Sequence, residues 1–141
     1  KNLTLSELFL TRTVPSTTTY ISASLTASQA VQACGVVGWL DSAGTPANFV
    51  LAYRVGTGNT VILAKCVAGV YTELINASAA HVANAPLMIK RLSGTNTFQL
   101  WYNNAQVGTD QTISDAGIIS NTIAGLFSTQ AGATFDNITI A

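Results

Sequence analysis

The sequence predicts an all-β domain built as an antiparallel two-sheet β-sandwich. Short segments rich in Val, Ile, Thr, Tyr and Phe recur along the chain, and clusters of Gly, Asn, Ser and Asp separate them. A regular succession of strand-forming and turn-forming residues is typical of sandwiches and barrels. Helical periodicity is nearly absent, so strands are expected to account for most of the ordered chain.

The predicted strands combine β-branched or aromatic residues with flanking turn residues. Residues 77–85 are rich in Ala and fit one helical turn that Pro86 ends. Residues 2–11 carry mixed signals, because their leucines suit either a strand or a short helix. The candidate strands are residues 18–26, 32–40, 47–55, 60–67, 70–75, 87–92, 97–102, 105–109, 122–128 and 134–140.

Three turns connect neighbouring strands in the central half of the chain. Gly-Thr-Gly-Asn at 56–59 and Ser-Gly-Thr-Asn at 93–96 both separate strand-like runs. Asn103 and Asn104 separate two further runs, and Asn tolerates the left-handed conformation that a type I′ turn requires. These turns predict an antiparallel meander with a two-residue hairpin at 103–104.

Composition limits the range of partners. The chain has 141 residues, which favours a single domain spanning 1–141, and six basic residues balance six acidic ones. Only 9% of the residues are charged, against about 25% in ordinary soluble domains. A nucleic-acid partner is not expected, because Lys90 and Arg91 form the only adjacent basic pair. The charge-poor composition favours an extracellular, cell-surface or virion-surface setting.

Membrane insertion is also not expected. Residues 13–40 carry no charge, but Ser, Thr and Gln residues interrupt this stretch, and Pro15 breaks its start. A spanning helix needs about 20 predominantly apolar residues. Residues 1–10 do not resemble a signal peptide, since Glu7 lies where the apolar region would be.

The cysteines and the histidine provide no recognisable metal or redox motif. Cys34 and Cys66 lie too far apart in sequence for a CxxC motif, and His81 is the only histidine. Each cysteine lies in an apolar run, where buried free thiols are common, so one disulfide and two free thiols both remain open. Nucleophilic catalysis is not expected, because no basic residue adjoins Cys34 in the sequence to activate it.

Four ordered stretches carry a resemblance to a known family. They are Gly-Val-Val-Gly-Trp-Leu-Asp at 35–41 with Asn-Phe-Val-Leu-Ala-Tyr-Arg at 48–54; Ile-Leu-Ala-Lys at 62–65 with Val-Tyr-Thr-Glu-Leu at 70–74; 88–94 with 98–107; and Ala-Gly-Leu-Phe at 124–127 with Thr-Phe-Asp-Asn-Ile-Thr-Ile at 134–140. From about residue 20 onward, this order resembles the concanavalin A-like lectin/glucanase superfamily in its laminin-G-like branch. The resemblance implies a concanavalin A-like jelly roll.

The N-terminus departs from the family pattern. The family usually opens with a strand that contains an aromatic pair, and residues 2–11 match that strand poorly. Residues 1–11 are therefore predicted to be an atypical segment, and docking onto a partner or a neighbouring copy is one role that suits it. The superfamily includes glycosidases, lectins, adhesion modules and structural domains, so the fold alone does not select a function.

The carboxylates do not form a catalytic pattern. Hydrolases of the superfamily place two carboxylates on one strand, alternating toward the concave face, because both must flank the scissile bond. The carboxylates of this chain are Glu7, Asp41, Glu73, Asp110, Asp115 and Asp136, and no two alternate on a predicted strand. We therefore expect no enzyme activity, no catalytic residues and no cofactor. A calcium site is not expected either, because turn roles suit these scattered aspartates better.

Aromatic residues on polar faces are the best candidates for ligand binding. Alternation along 98–102 places Phe98, Leu100 and Tyr102 on a core face and directs Trp101 outward. Gln99 and Asn103 flank it on the same polar face, where a ring can stack on a sugar while amides bond its edge. The alternative is that a loop or a partner subunit covers Trp101. Trp39, which shares its predicted face with Gly35 and Val37, is assigned to the core, and Tyr53 and Arg54 are secondary ligand candidates.

The sequence thus predicts a non-catalytic module that binds glycans at a cell or virion surface through Trp101, Gln99, Asn103, Tyr53 and Arg54. The alternative is a structural or decoration module of a viral capsid, tail or extracellular filament. Such a module acts through protein–protein contacts, either with partner proteins or with neighbouring copies in a homo-oligomer.

Overall fold

The computed structural model describes residues 8–141, which form two antiparallel β-sheets and one short helix. Its elements are β1 (Leu8–Thr13), β2 (Tyr20–Thr26), β3 (Ala33–Leu40), β4 (Phe49–Val55), β5 (Thr60–Val67), β6 (Val70–Ser78), β7 (Ala85–Arg91), β8 (Thr97–Tyr102), β9 (Ala105–Thr112), α1 (Ala116–Ile119), β10 (Ile123–Ser128) and β11 (Thr134–Ile140).

The two sheets stack face to face as a jelly-roll sandwich. The six-stranded sheet has the order β1-β10-β3-β4-β5-β6, and the five-stranded sheet has the order β11-β2-β7-β8-β9. The last two strands return to opposite sheets, since β10 pairs with β3 and β11 pairs with β2. The predicted all-β antiparallel sandwich is therefore confirmed.

Left-handed backbone conformations close two of the tight hairpins. Asn103 and Asn104 have φ values of 49° and 65°, as the predicted type I′ turn between β8 and β9 requires. Ala68 and Gly69 adopt φ values of 50° and 79° between β5 and β6. The predicted strands 60–67 and 70–75 already placed a connection here, but not the positive φ of Ala68, a conformation that alanine rarely adopts.

A shared core fills the space between the sheets. Alternation along β8 turns Phe98, Leu100 and Tyr102 inward, and all three are buried. They pack against inward residues of the other sheet such as Val36 and Leu63. Burying a side chain of this size stabilises the fold by about 1.5–3 kcal/mol through removal of apolar surface from water.

Trp39 reaches this shared core by an unusual backbone turn. Its φ is 53°, which is a rare conformation for a bulky residue, and it coincides with a register shift between β10 and β3. The indole packs edge-on against Phe98 with the ring centroids 5.0 Å apart. The assignment of Trp39 to the core is confirmed, but its predicted face is wrong: Val37 points to the outer face of the sheet, in a separate apolar cluster.

That separate cluster forms a second apolar layer on the outer face of the six-stranded sheet. The alternate positions of β3, β4, β5 and β10 carry it, with Phe49, Leu51, Tyr53, Ile62 and Phe127 among its members. These side chains are only 0–5% exposed. The six-stranded sheet is thus apolar on both faces, whereas the five-stranded sheet has one apolar and one polar face.

The beginning of the chain and the helix differ from expectation. Residues 8–13 form strand β1, which pairs antiparallel with β10, so the chain supplies its own strand at this edge. Residues 1–7 of the predicted docking segment lie outside the described residues. The helical turn predicted within 77–85 is wrong, because Ala77 and Ser78 continue β6, and α1 lies later in the chain. Within the described part of the chain, no helix has the length and apolarity needed to span a bilayer.

Both cysteines are free and buried, which resolves the two alternatives left open by the sequence. Cys34 lies in the shared core and Cys66 in the outer apolar cluster. Burial raises the pKa of the Cys34 thiol to about 11 and outweighs the nearby Arg54 cation, which acts in the opposite direction. The thiol is therefore protonated at neutral pH.

We predict that neither thiol reacts in the folded protein at pH 7.5 and that both react after denaturation. The physical reason is twofold, because burial blocks access of the reagent and keeps Cys34 protonated. Labelling with iodoacetamide followed by mass spectrometry checks this. Rapid double labelling of the native protein would contradict the buried placement.

We also predict that Phe98→Ala lowers the free energy of unfolding by about 3–5 kcal/mol, as expected for a large cavity in a packed core. Urea denaturation measures the change. Thr112→Ala is the matched control on the neighbouring strand β9, where Thr112 is exposed and a change within about 0.5 kcal/mol is expected. Equal free energies of unfolding for the two variants would show that Phe98 does not contribute to the packing between the two sheets.

Candidate functional site

Trp101 lies on the polar outer face of the five-stranded sheet. Alternation along β8 directs Thr97, Gln99 and Trp101 away from the core, and all three are partly exposed. The cross-strand neighbours of Trp101 are Met88 on β7 and Gln106 on β9. The predicted orientation of Trp101 and Gln99 toward a common polar face is confirmed.

Hydrogen bonds hold the indole ring in a defined orientation. Trp101 donates its indole N–H to Gln99 Oε1 at 3.1 Å. Gln99 Nε2 donates to Asp110 Oδ1 at 2.8 Å, and Gln106 Nε2 donates to the same oxygen at 2.8 Å. Gln99 thus orients the indole ring, and Asp110 in turn holds Gln99. Because the ring is already ordered, less conformational entropy is lost when a ligand stacks on it.

A bulge in β9 allows Asp110 to join this network. The register between β8 and β9 shifts between Phe98 and Leu100, and Gly108 adopts a φ of 71° there. A side chain at Gly108 would also come within 2.8 Å of Ile75 in the six-stranded sheet. Both the backbone conformation and the close approach of the other sheet therefore favour glycine at this position.

Lys90 completes the surface on the side of β7. It pairs with Gln99 across the strands, and its Nζ lies 5.7 Å from the centroid of the Trp101 ring. We call this surface the Trp101 patch and define it by five residues: Lys90, Gln99, Trp101, Gln106 and Asp110. It combines an accessible ring, two amides and one charge of each sign.

Asn103 lies at the end of the same hairpin. It occupies the exposed turn after β8 and donates its backbone N–H to Pro86 O at 2.8 Å. The structure therefore brings Trp101 and Gln99 together directly and places Asn103 at the adjacent turn. A ligand-binding role for these three residues stays a prediction.

Tyr53 lies on the opposite side of the sandwich from the Trp101 patch. It belongs to the outer apolar cluster of the six-stranded sheet and is 5% exposed. Burial, with a smaller contribution from the Glu73 carboxylate, raises the pKa of its hydroxyl to about 12. The prediction that Tyr53 joins Trp101 in binding a ligand is therefore corrected. Tyr53 lies on the outer face of the six-stranded sheet and Trp101 on the outer face of the five-stranded sheet, so one ligand cannot contact both side chains.

Arg54 is buried in the core, with 0% of its surface exposed. Its guanidinium donates to Ala79 O at 3.1 Å and to Gly58 O, and it lies over the Tyr102 ring with 4.6 Å to the centroid. These contacts tie the β4–β5 hairpin to the loop after β6. The predicted surface role is therefore corrected, because Arg54 is inaccessible to a ligand and its two terminal guanidinium nitrogens donate to backbone carbonyls.

Three residues of the Trp101 patch were not singled out from the sequence. Lys90 and Gln106 could have been found by extending the alternation to the strands on either side of β8. Asp110 was missed because the predicted strand ends at residue 109, whereas β9 continues past its bulge to Thr112. The missing signal was the length of this strand.

Two other carboxylates of the described chain have structural contacts. Asp41 accepts from the Ala47 backbone N–H at 3.0 Å and from Asn48 Nδ2 at 2.7 Å. Asp115 forms an ion pair with Lys65 at 2.6 Å. Among residues 8–141, no three His, Cys, Asp or Glu side chains gather in a group that could hold a metal ion.

A cavity of about 410 Å³ is lined by residues of β1, β2, β10 and β11. Its described walls are mostly aliphatic, with Ile21, Leu126 and Ile140 among them, and Arg12 contributes the one charged group of the described lining. The described lining residues include no aromatic ring on which a sugar could stack. The cavity is therefore separate from the Trp101 patch in both place and chemistry.

Comparison with known proteins identifies the fold. No protein-family model matches the sequence, and no curated protein matches it. Among solved structures, the chain is similar to the carbohydrate-binding module CBM66 from Bacillus subtilis, with a TM-score of 0.69, 16% identity, and coverage of 94% of this chain and 77% of that one. It is also similar to sheep galectin-11, with a TM-score of 0.67, 8% identity, and coverage of 98% and 100%.

A similarity to an enzyme covers only part of that enzyme. The GH43 protein BlXynB from Bacillus licheniformis matches with a TM-score of 0.64 and 16% identity, over 88% of this chain but 27% of the enzyme. The activity of the whole enzyme therefore does not transfer by this similarity.

The chain accordingly has the concanavalin A-like jelly-roll fold that carbohydrate-binding modules and galectins share. The resemblance inferred from the four sequence stretches is confirmed at the level of the fold. These identities are too low to show more than the fold, so the residues themselves must carry any functional conclusion.

We predict that Arg54→Ala destabilises the protein by about 2–5 kcal/mol, because it removes two hydrogen bonds to backbone carbonyls and opens a cavity in the core. Urea denaturation measures the change. Arg12→Ala is the matched control, since Arg12 is an exposed arginine on β1 and its removal is expected to have little effect. An unaltered unfolding midpoint for Arg54→Ala would contradict its structural role.

Proposed function

We propose that this protein is a non-catalytic module that binds glycans through the Trp101 patch. The observation that carries the proposal is a partly exposed indole on a polar sheet face, oriented by a hydrogen bond to the Gln99 amide. The shared fold of a carbohydrate-binding module and galectins supports the proposal without locating the site.

The chemistry of the patch suits a sugar. The C–H face of a pyranose packs on an indole ring, and hydroxyl groups at its edge require donors and acceptors nearby. Gln99 and Gln106 have free amide capacity beyond the bonds that they make to Asp110. Asp110 uses Oδ1 for both of these bonds, so Oδ2 is directed to neither amide and is available to accept from a hydroxyl.

The shape of the site favours an extended glycan over a small enclosed one. The patch lies on an open sheet face, and the cavity described above lies elsewhere. An open face buries little of each sugar unit, so affinity has to accumulate over several units of a chain. We expect dissociation constants for short oligosaccharides on the order of 1 mM, equivalent to about −4 kcal/mol.

The patch has no acid–base pair. Glycoside hydrolysis ordinarily needs two carboxyl groups on either side of the scissile bond, about 5–10 Å apart. Asp110 is the single carboxylate of the Trp101 patch, and hydrogen bonds from two amides hold it. We therefore propose binding without cleavage.

For the setting, we propose an extracellular, cell-surface or virion-surface location. The support is the charge-poor composition together with a polar face built from amides and hydroxyls. The structural or decoration module named above is the alternative function, and self-assembly without any glycan binding would favour it.

We predict that Trp101→Ala weakens glycan binding at least tenfold and that Trp101→Phe retains part of it, because phenylalanine keeps a smaller stacking surface. Isothermal titration calorimetry against glycans that a glycan array identifies measures the affinities. The free energy of unfolding should change by less than about 1 kcal/mol, since Trp101 lies outside the core.

Val70→Ala is the control for this experiment, because it removes apolar atoms from a side chain that is 67% exposed at the start of β6, in the other sheet and outside the Trp101 patch. Its glycan affinity should match that of the unmodified protein. Glycan binding that survives Trp101→Ala unchanged would place the binding surface elsewhere and overturn the proposal.

A further inference from the structure

Lys90 is the cation of this surface, and the other described cations are engaged or lie elsewhere. Lys65 pairs with Asp115. Arg91 donates to Thr95 O, Ile119 O and Asn96 Oδ1, and Arg54 is buried in the core. Arg12 lines the cavity at the other edge of the sandwich. Among residues 8–141, the Trp101 patch thus holds the one lysine or arginine on the polar face that forms no hydrogen bond or ion pair.

The Lys90 ammonium rests near the ring that a sugar would use. Its Nζ lies 5.7 Å from the Trp101 centroid, a distance at which a cation is attracted to the ring. At a partly exposed site this attraction amounts to about 0.5–1 kcal/mol. An arriving ligand that supplies an anion can therefore draw the ammonium away from the ring at small cost and take its place on the indole.

The two charges of the patch lie on opposite sides of the ring. Lys90 is on β7 and Asp110 is on β9, while Gln99 and Trp101 lie between them on β8. Neighbouring strands are about 4.8 Å apart, so the two charge-bearing strands are separated by about 10 Å. An anionic substituent is consequently attracted to the β7 side and repelled from the β9 side, where hydroxyl groups find Asp110 instead.

We propose that the Trp101 patch selects acidic glycans, meaning sugars that carry an anionic substituent such as a carboxylate or a sulfate. In the complex, the sugar ring stacks on Trp101, its anionic group contacts the Lys90 ammonium, and its hydroxyl groups face Gln106 and Asp110. This inference rests on the proposed function and adds two features to it. They are the class of ligand and the orientation of the sugar, whose anionic group lies toward β7 and whose hydroxyl groups lie toward β9.

Matched polymers test the charge preference. Polygalacturonate and its fully methyl-esterified form share one backbone and differ in the carboxylate charge, and dextran sulfate and dextran differ in the sulfate charge. We expect tighter binding to at least one charged member of these pairs than to its neutral counterpart, and weaker binding of that polymer as salt rises from 0.05 to 0.5 M, about the range over which screening becomes strong. Comparison of the two pairs distinguishes a carboxylate from a sulfate as the preferred anion.

Variants of Lys90 test the residue itself. Lys90→Gln should weaken binding of the preferred charged polymer about three- to fivefold, the size expected for a partly exposed charge pair, and should thereby reduce its advantage over the neutral counterpart. Lys90→Arg keeps the charge and should retain the affinity. Circular dichroism and urea denaturation verify that both variants fold as the unmodified protein does.

The outcomes separate the two proposals. The acidic-glycan inference is overturned if the neutral polymers bind as tightly as the charged ones or more tightly. It is also overturned if Lys90→Gln leaves the charge preference intact. In either case the proposed function stands as long as Trp101→Ala still abolishes binding. Absence of binding to these four polymers and to a glycan array overturns both. Binding that requires both Trp101 and Lys90, with the charge preference, supports both.

Discussion

The alternation of side chains along the strands is the constraint on which the rest of this structure depends. Because successive residues point to opposite faces, each strand contributes one row to the shared core and one row to an outer face. The five-stranded sheet uses this to separate Phe98 and Leu100 from Gln99 and Trp101. The six-stranded sheet is apolar on both faces, and its outer row, which includes Phe49 and Leu51, is buried. The partly exposed Trp101 ring and the polar side chains around it therefore lie together on the outer face of the five-stranded sheet.

Local departures from this alternation complete the molecule. A left-handed residue at Trp39 turns a bulky indole from the outer face into the shared core, where it packs on Phe98. The bulge at Gly108 brings Asp110 to the amides that orient Trp101. The two tryptophans of the chain therefore have opposite roles, one as a core residue and one as a surface ring, and a backbone irregularity contributes to each environment.

The fold and two of the five patch residues, Gln99 and Trp101, could be predicted from the sequence because both depend on local periodicity. The strand at 97–102 shows its two faces directly, and Asn103-Asn104 specifies its own turn. The burial of Arg54 could not be predicted in this way, because a charged residue at a strand end ordinarily faces solvent. The carbonyls that accept its hydrogen bonds, at Gly58 and Ala79, reach it only through the hairpin after β4 and the loop after β6. Lys90 and Asp110 become part of one surface only through pairing of β7 and β9 with β8.

Two indole resonances provide the most direct test that the Trp101 patch is the ligand surface. The chain contains two tryptophans, of which Trp39 is 4% exposed in the core and Trp101 is partly exposed on the polar face. In ¹⁵N-labelled protein titrated with oligogalacturonate and separately with its methyl ester, we expect the indole N–H signal of Trp101 to shift with at least one ligand and that of Trp39 to stay in place. Shifts confined to residues around Tyr53 on the six-stranded sheet, with the Trp101 signal unmoved, would contradict the assignment.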